Sequence, residues 1–340
     1  MKTFHCQCGQ TVFFDNAICL ACNTVLAYSF EQARMLSLQA APEAGAEVWR
    51  DIQEGGLYRF CGNRSQHDIC NGIIQHDSHE SFCVACRLNN TIPDLGVAEN
   101  LPRWRRIEQA KRRLIYGLLA LELPLTFPVA GFPRGIMFDF LEDQRSNPNV
   151  PDEFVSTGHR NGLITINVLE ADDVERARQR QQSAERYRTV LGHFRHEAGH
   201  YYYELLVTKP EAFAAQFGDP ALDYNGALSN HYNFGPMPGW ESYYVSAYAS
   251  VHPLEDWAEC FAHYLHTLDT IETAVARGVI PPLEDDKDID EVLNCWGELA
   301  VTINELNRSL GLLDAYPFVV TPMVANKLRF IHQAIQNQRR

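Results

Sequence analysis

Residues 187–208 read YRTVLGHFRHEAGHYYYELLVT, and the rest of the chain is best interpreted from this stretch. It is apolar and stops before Pro210, which predicts a helix from about Tyr187 to Thr208. Inside it, His196-Glu197-Ala198-Gly199-His200 is an HExxH motif. Side chains four residues apart share one helix face, so both imidazoles can bind one Zn²⁺. Glu197 lies beside them and is predicted to be the general base that takes a proton from a zinc-activated water.

A catalytic zinc also needs a third protein ligand and an open coordination position. Candidates lie on a second predicted helix, Pro253 to Arg277, in the segment EDWAECFAH that starts at Glu255. We expect Glu259 to be the third ligand, because large apolar side chains around it can bury the helix while its carboxylate reaches the metal. His263, four residues later on the same face, is the alternative ligand. Asp256 is placed to orient a ligand histidine.

Two further side chains are candidates for supporting roles. Tyr248 ends the stretch Tyr243-Tyr244-Val245-Ser246-Ala247-Tyr248, just before the second helix. Its hydroxyl is the candidate for stabilising the developing oxyanion, and simple packing under the loop is the alternative. His193, one turn before His196, is expected to be structural or to support a ligand.

The cysteines are the next feature, because eight of the ten lie in the first 86 residues. Their paired spacing predicts two closed four-thiolate zinc sites that serve folding. The first site consists of Cys6, Cys8, Cys19 and Cys22, and the second of Cys61, Cys70, Cys83 and Cys86. In the second site, His67, His76 or His79 is an alternative to Cys61 or Cys70. The remaining two, Cys260 and Cys295, are expected to be buried free thiols.

Length and charge limit the domain number and the partners. The chain has 340 residues and a formal net charge of −14. This length predicts about two domains, a zinc-ribbon region at 1–95 and a second domain at 96–340. Residues 1–100 hold six basic and eleven acidic side chains, so we expect no nucleic-acid partner.

The sequence gives no sign of a membrane partner or of secretion. An apolar leader is missing from the first residues, and no run approaches the roughly 18 apolar residues of a spanning helix. We therefore expect a cytoplasmic protein, in a compartment where clustered thiols hold metal more often than they form disulfides.

The remaining pattern predicts an α+β fold. A helix is expected from about Pro102 to before Pro124, followed by strands at 136–140 and 164–168 with an Asn161-Gly162 hairpin turn. Residues 218–252 are rich in Gly, Pro, Asn and Tyr and are expected to be irregular. Two further helices are predicted at about 289–310 and 321–337. Helices that follow the strands in sequence are typical of α+β proteins.

Several long segments resemble the zinc-binding metallopeptidases of bacteria that carry an N-terminal zinc-ribbon domain. The resemblance covers nearly the whole chain and implies a zincin-like metallopeptidase domain, with a small sheet, the HExxH helix and a glutamate-ligand helix. The similar glutamate-ligand arrangement, called gluzincin, places Glu259 on the metal. The segments are Phe82–Asn89 with Thr91–Leu95, Gly158-His159 with Asn161–Thr165, Leu191–Glu197 with Gly199–Tyr202, Glu255–Glu259, and Tyr316-Pro317-Phe318.

These observations predict a zinc-dependent peptidase that acts on a peptide or protein, with one catalytic and two structural zinc ions. The strand at 163–168 is expected to be a sheet edge that pairs an extended substrate. One alternative is a non-catalytic, zinc-stabilised adaptor that works through its ribbon region. Retention of Glu197, which metal binding alone does not require, argues against this. A second alternative is a nucleic-acid-associated zincin protease, which the acidic ribbon region disfavours.

Overall fold

The structure is a computed structural model that describes residues 1–125, 135–183, 189–284 and 288–338, with side chains described outside 179–183. By backbone proximity the chain divides into two compact units. The first is Met1–Tyr116 with Thr126–Thr157 and Thr165–Glu175. The second is Gly117–Leu125 with Gly158–Ile164 and Arg176–Arg340. The sequence boundary near residue 95 stays a prediction.

The cysteine-rich region contains more β-structure than its sequence pattern predicts. Strands β1 (Phe4–His5) and β2 (Thr11–Val12) form an antiparallel pair. The next five strands form an antiparallel sheet in sequence order. They are β3 (Val25–Ser29), β4 (Arg34–Ala40), β5 (Val48–Asp51), β6 (Leu57–Phe60) and β7 (Ile73–Gln75). A short helix, α1 (Gly62–His67), lies between β6 and β7 in the chain. Ala27, Leu36 and Ile73 lie in the buried cluster of this sheet.

A third sheet carries the predicted hairpin. Its strands are β8 (Asn89–Thr91), β9 (Met137–Leu141), β10 (Gly158–Arg160) and β11 (Leu163–Asn167), in the order β10-β11-β9-β8. The turn is confirmed, since Asn161 and Gly162 have φ of 51° and 85°, the two positive values that such a tight turn requires. The prediction that the strand at 163–168 is an edge is wrong, because β11 lies between β10 and β9. The edge strand is β10.

The helices occupy most of the remaining chain. They are α2 (Asn100–Ala120), α3 (Asp173–Ser183), α4 (Val190–Leu206), α5 (Pro210–Phe217), α6 (Tyr224–Phe234), α7 (Pro253–Ala276), α8 (Ile289–Ser309) and α9 (Pro322–Gln338). The five predicted helices are confirmed to within a few residues. The predicted start of α4 at Tyr187 lies outside the described residues, and its first described turn is capped by the Thr189 side chain, which accepts a hydrogen bond from the Gly192 amide at 2.9 Å.

The prediction of irregular structure at 218–252 is wrong for eleven residues, because α6 lies inside this segment. The helix has a capped start, where the Asp223 side chain accepts a hydrogen bond from the Gly226 amide at 3.1 Å. Gly235, with φ of 83°, ends it. These local signals outweigh the low helix propensity of the surrounding Gly, Asn and Tyr residues.

The fold is therefore a mixture of helix and sheet, as predicted, and the zincin-like arrangement stays a prediction. None of the described helices is long and apolar enough to cross a membrane. In the second unit, one buried cluster joins α7, α8 and the segment before α9, with Ile271, Val292, Trp296, Leu299 and Tyr316 among its members.

Candidate metal centre

The two histidines of the HExxH motif lie side by side on α4. The Nε2 atoms of His196 and His200 are 3.2 Å apart, and the ring centroids are 4.9 Å apart. Both side chains are largely withdrawn from solvent, and His196 is only 9% exposed. The helical spacing of four residues produces this pairing directly.

The first turn of α7 brings a carboxylate to the same place. The Oε2 atom of Glu255 lies 3.0 Å from Nε2 of His196, and its Oε1 atom lies 3.5 Å from Nε2 of His200. These three side chains form the one group of potential ligands in the described residues that contains histidine. Pro253 at the first helical position and the His252 cap fix the start of α7 and therefore the position of Glu255.

Glu259 lies one helical turn further along and meets His196 from the other side of its ring. Its Oε1 atom is 2.7 Å from Nδ1 of His196, and its Oε2 atom accepts a hydrogen bond from Ser246 at 2.6 Å. In this structure Glu259 therefore contacts Nδ1 of His196, on the opposite side of the ring from Glu255. Glu255 faces the Nε2 atoms that converge, whereas Glu259 is placed to orient His196.

The carboxylates and imidazoles shift each other's protonation. Burial lowers the pKa of His196, but Glu255 and Glu259 raise it, and the net pKa lies well above the ordinary value. Burial raises the pKa of Glu255, but His196 and His200 lower it, so that it lies well below its usual range. Burial also raises the pKa of Glu259, but its contact with His196 outweighs this effect and lowers the pKa to about 2. The carboxylates therefore stay ionised and favour a cation between them.

The donor set fits a zinc ion. The Oε2 atom of Glu255 is buried and, apart from Nε2 of His196 at 3.0 Å, has no hydrogen-bond partner among the described residues. A buried carboxylate oxygen without a hydrogen bond is costly unless it meets a cation. Two histidines with one glutamate are a ligand set of catalytic zinc, and a carboxylate on the far nitrogen of a ligand histidine is the usual support.

Both cysteine quartets are also brought together. In the first, Sγ of Cys6 lies 3.6 Å from that of Cys22, and Sγ of Cys8 lies 3.8 Å from that of Cys19. Cys8 and Cys22 are exposed, whereas all four cysteines of the second quartet are buried. Each quartet has its four sulfur atoms within 4.8 Å of one another, close enough for one metal ion.

The second quartet is enclosed by tightly packed backbone and by charged side chains. A Cβ atom at Gly72 would lie 2.6 Å from Sγ of Cys83, so this position requires glycine. On α2, the carboxylate of Glu108 accepts a hydrogen bond from the Cys86 thiol at 3.5 Å and pairs with Lys111 at 2.6 Å. Both charged side chains are fully buried. The middle of α2 therefore belongs to the wall of the second quartet.

The sequence profile of a family described as "Putative zinc-binding metallo-peptidase" matches residues 100–334. The chain belongs to this family. A second profile, described as a zinc-ribbon domain, matches residues 3–97. Both findings confirm the resemblance noted in the sequence, and with the cysteine groups they indicate a zinc-binding protein.

Curated relatives extend over the same length. Uncharacterized proteins of Mycobacterium bovis and Mycobacterium tuberculosis are each 38% identical to this chain, over 98% of its length and 95% of theirs. No solved structure matches the chain. The family match therefore gives the class of the protein, and these uncharacterized relatives add no information on its chemistry.

A close helix crossing lies beside the group formed by His196, His200 and Glu255. A Cβ atom at Gly199 would lie 2.9 Å from Cα of Ala258, so α4 and α7 approach within a distance that only glycine permits. Trp257 donates a hydrogen bond from Nε1 to the Gly199 carbonyl at 2.8 Å. The crossing lies next to His200 on one helix and between Glu255 and Glu259 on the other, so it fixes the separation of the proposed ligands.

Two tyrosines and the general-base candidate line the centre. Glu197 is 8% exposed. The ring of Tyr248 lies 5.9 Å from that of His196, and the hydroxyl of Tyr224 donates a hydrogen bond to Oε1 of Glu255 at 2.5 Å. Burial, followed by the charge of Glu255, raises the pKa of both tyrosines, so both hydroxyls stay protonated as donors.

His159 on the edge strand is a residue that sequence reasoning left without a role. Its ring stacks on that of His200 at 6.4 Å, and its Nε2 atom accepts a hydrogen bond from the Gly162 amide at 2.9 Å. Burial and the neighbouring His200 lower its pKa to about 4, so His159 is neutral. Its position in a segment that carries the family resemblance, directly before the hairpin turn, is the signal that pointed to it.

Two other residues considered from the sequence lie outside the centre. Asp256 pairs with Lys327 of α9 at 2.5 Å instead of orienting a histidine. The Nδ1 atom of His263 lies 2.7 Å from the Tyr316 hydroxyl, and both side chains are buried. His263 is therefore engaged in the core between α7 and the segment before α9.

Glu255 is the candidate ligand that the sequence analysis did not single out. In the sequence it is an acid in the first turn of a predicted helix, where acids suit the helix dipole. The available signal was the pair of acids at positions 255 and 259, four residues apart on one helix. That spacing permits one carboxylate to bind a metal and the next to support a ligand histidine.

Proposed function

We propose that this protein is a zinc-dependent peptidase whose catalytic metal is held by His196, His200 and Glu255. The observation that carries the proposal is the convergence of both Nε2 atoms on the Glu255 carboxylate, with Glu197 on the same helix. Glu255 replaces Glu259 as the proposed third ligand. Glu259 instead fixes the ring orientation of His196 through Nδ1.

Zinc bound here would acidify a water molecule and polarise the scissile carbonyl. Glu197 acts as general base, accepting the proton from the attacking water and passing it to the leaving amine. Tyr248 is the proposed hydrogen-bond donor to the developing oxyanion, since its ring packs against that of His196 and burial keeps its hydroxyl protonated. Low exposure of Glu197 and Glu255 strengthens these electrostatic interactions.

The substrate is proposed to be an extended peptide or protein segment paired with β10. This strand is the edge of its sheet, and His159 on it stacks on His200. Backbone pairing along an edge strand recognises many sequences, because main-chain groups supply the hydrogen bonds. Neutral His159 supports the placement of His200 without adding charge to the centre.

We further propose that the two cysteine quartets hold structural zinc ions, which gives three zinc ions per chain. Four thiolates leave no open coordination position, so these ions serve folding. The zinc-ribbon family match over the same residues supports this role.

Measurements of zinc content, together with a catalytically inactive variant, test the proposal. We expect three zinc ions per chain in the wild type, two in His196→Ala and in Glu255→Ala, and three in Glu197→Gln. The Glu197→Gln protein should bind peptides but not cleave them, and peptides that accumulate in cells carrying it would identify the substrates. A Glu197→Gln protein that fully supports the biological role would instead favour the adaptor hypothesis. One zinc ion per chain would contradict the two-quartet proposal.

A further inference from the structure

The two carboxylates expected to act at the proposed catalytic centre are buried in this structure. Glu255 is 1% exposed and Glu197 is 8% exposed, and a tyrosine hydroxyl already occupies Oε1 of Glu255. A peptide bond has to come within hydrogen-bond distance of the general base before it can react. Some element that covers these carboxylates must therefore move before a substrate can bind.

Helix α6 is the element with the weakest attachment at this position. Every residue from Tyr224 to Phe234 keeps part of its surface exposed, so the helix contributes nothing to a buried core. Segments with few buried apolar contacts open at low free energy. By contrast, α4 and α7 are locked by the Gly199 crossing and by the buried Trp257.

Glycines with unusual backbone angles bracket the helix. Gly218 before it has φ of 101° and ψ of −180°, and Gly235 after it has φ of 83° and ψ of −177°. These angles lie in a region that glycine alone adopts readily. Hinges are commonly a few residues at element ends that absorb the change in backbone angle.

Within the part of the chain that the structure describes, contacts at both ends of α6 hold the helix against the centre. Tyr224 makes the 2.5 Å hydrogen bond to Glu255 and packs its ring against His252 at 5.2 Å. His252 donates from Nε2 to the Leu222 carbonyl at 3.1 Å, which ties the start of α6 to the start of α7. At the other end, the ring of His231 contacts that of Tyr248 at 5.9 Å.

The C-terminal end of α6 carries two ring side chains, His231 and Tyr232, that extend the ring contacts away from the centre. Tyr232 is 73% exposed, and its ring contacts that of His231 at 5.6 Å. A continuous series of ring contacts thus runs from Tyr232 through His231 and Tyr248 to His196. An exposed aromatic ring at this position offers apolar surface to a substrate that enters the centre.

We propose that α6 is a substrate-recognition gate, closed by the Tyr224–Glu255 hydrogen bond and opened by an extended polypeptide that places a bulky apolar side chain on Tyr232. The role of the gate in substrate recognition rests on the proposed peptidase function. The movement of α6 itself does not depend on that function and can be measured without a substrate. Opening releases Oε1 of Glu255 and exposes Glu197. Substrates with a bulky apolar residue beside the scissile bond are preferred, because they compensate for the lost contacts of α6.

Hydrogen–deuterium exchange of the full-length protein tests the gate without any need for activity. Tyr224→Phe removes the latching hydroxyl but keeps the ring, and amides 224–234 should exchange about tenfold faster, the effect of losing a hydrogen bond to a charged group. Tyr232→Phe is the matched control, since it removes a hydroxyl from an exposed tyrosine on the same helix, and should exchange at the wild-type rate.

Two exchange outcomes overturn the gate. One is an unchanged rate in Tyr224→Phe, which would mean that the hydrogen bond does not hold α6 in place. The other is faster exchange that spreads through α7, which would show that Tyr224 stabilises the core and not a gate. If exchange behaves as expected but the wild type cleaves no peptide, the peptidase function fails and the gate stands.

Peptide cleavage tests the substrate class. Against a peptide with phenylalanine beside the scissile bond, Tyr232→Ser should raise KM about fivefold and leave kcat unchanged. Against the alanine analogue, KM should stay at the wild-type value. Leu313→Ser, which alters an 88% exposed side chain after α8, is the control and should change neither peptide's KM. An equal rise of KM for both peptides in Tyr232→Ser would overturn the apolar preference.

Discussion

The second cysteine quartet and the histidine–glutamate centre are both buried and are both proposed zinc sites, yet opposite charges surround them. The quartet thiols interact electrostatically with the guanidinium groups of Arg64 and Arg112. Carboxylates surround the other centre, where Glu255 and Glu259 both contact the imidazole of His196. Guanidinium groups offset the negative charge of four thiolates, whereas the carboxylates of the other centre supply negative charge that favours a bound cation.

The difference in composition is consistent with different proposed roles. Four sulfur atoms would fill every coordination position of a zinc ion, so the proposed contribution of the quartet is to folding. Two imidazoles and one carboxylate leave a position for water beside Glu197, so the contribution of this centre is proposed to be chemical. Removing a residue should therefore separate activity from stability at one site and abolish both at the other.

The largest effect is expected at the general base. Glu197→Gln should lower kcat for peptide hydrolysis about 10³-fold, because proton transfer in the transition state is lost. The zinc content and the melting temperature should stay at wild-type values, since Glu197 is not a proposed ligand. Activity assays, metal analysis and thermal unfolding of the same preparation check this. Retained hydrolysis would remove Glu197 from the mechanism.

The counterpart at the quartet is Cys83→Ser. We expect one zinc ion fewer and a free energy of unfolding lower by about 4 kcal/mol, because loss of a structural metal is among the largest single-residue effects. Chemical denaturation monitored by fluorescence measures it. Cys295→Ser is the control, since Cys295 is half-buried and lies outside both quartets, and it should be nearly neutral. Equal effects of the two variants would contradict a structural zinc at the second quartet.

The helix crossing provides an intermediate effect. Gly199→Ala inserts a methyl group 2.9 Å from Cα of Ala258, and should lower the free energy of unfolding by about 2 kcal/mol and weaken zinc binding at the histidine–glutamate centre. Gly297→Ala in α8 is the matched control, because its Cβ meets nothing within 4 Å. It should stabilise the protein by about 0.5 kcal/mol. If both variants destabilise equally, the close approach of α4 and α7 is not what positions the ligands.

The smallest effect is expected at the residues that support His196. Glu259→Gln should weaken zinc binding at this centre about tenfold, because the carboxylate that orients the ring is lost. Ser246→Ala, which removes the hydrogen bond to Oε2 of Glu259, should weaken it about threefold. Competition with a chelator measures both, using His196→Ala to identify the zinc of this centre. Complete loss of that zinc in Glu259→Gln would return Glu259 to the role of third ligand.

The elements with strong local signals could be predicted, and those that depend on neighbours could not. The α4 and α7 helices follow from apolar runs with clear stops, and the Asn161-Gly162 turn follows from a dipeptide that favours positive φ. The sequence analysis did not predict the five-stranded sheet of the cysteine-rich region, because β3 and β4 bury consecutive residues on both faces and its short strands give no alternation of apolar and polar residues. Helix α6 was missed because Gly, Asn and Tyr outnumber strong helix formers in it.

The sequence by itself determined which residues carry the chemistry at fixed local spacing. A separation of four residues on a helix places His196 and His200 on one face whatever the rest of the chain does. The cysteine pairs are equally local, since Cys19 and Cys22 or Cys83 and Cys86 are separated by two residues. Spacing of this kind needs no knowledge of how distant segments meet.

Only the tertiary structure distinguishes the positions of Glu255 and Glu259, because both lie on the same face of α7 one turn apart. The choice depends on where α7 crosses α4, and the crossing is set by Gly199 against Ala258 and by the Trp257 hydrogen bond to the Gly199 carbonyl. A shift of one turn along the helix would exchange the two carboxylates. Long-range packing, which no local pattern encodes, therefore assigns one carboxylate to the converging Nε2 atoms and the other to Nδ1 of His196.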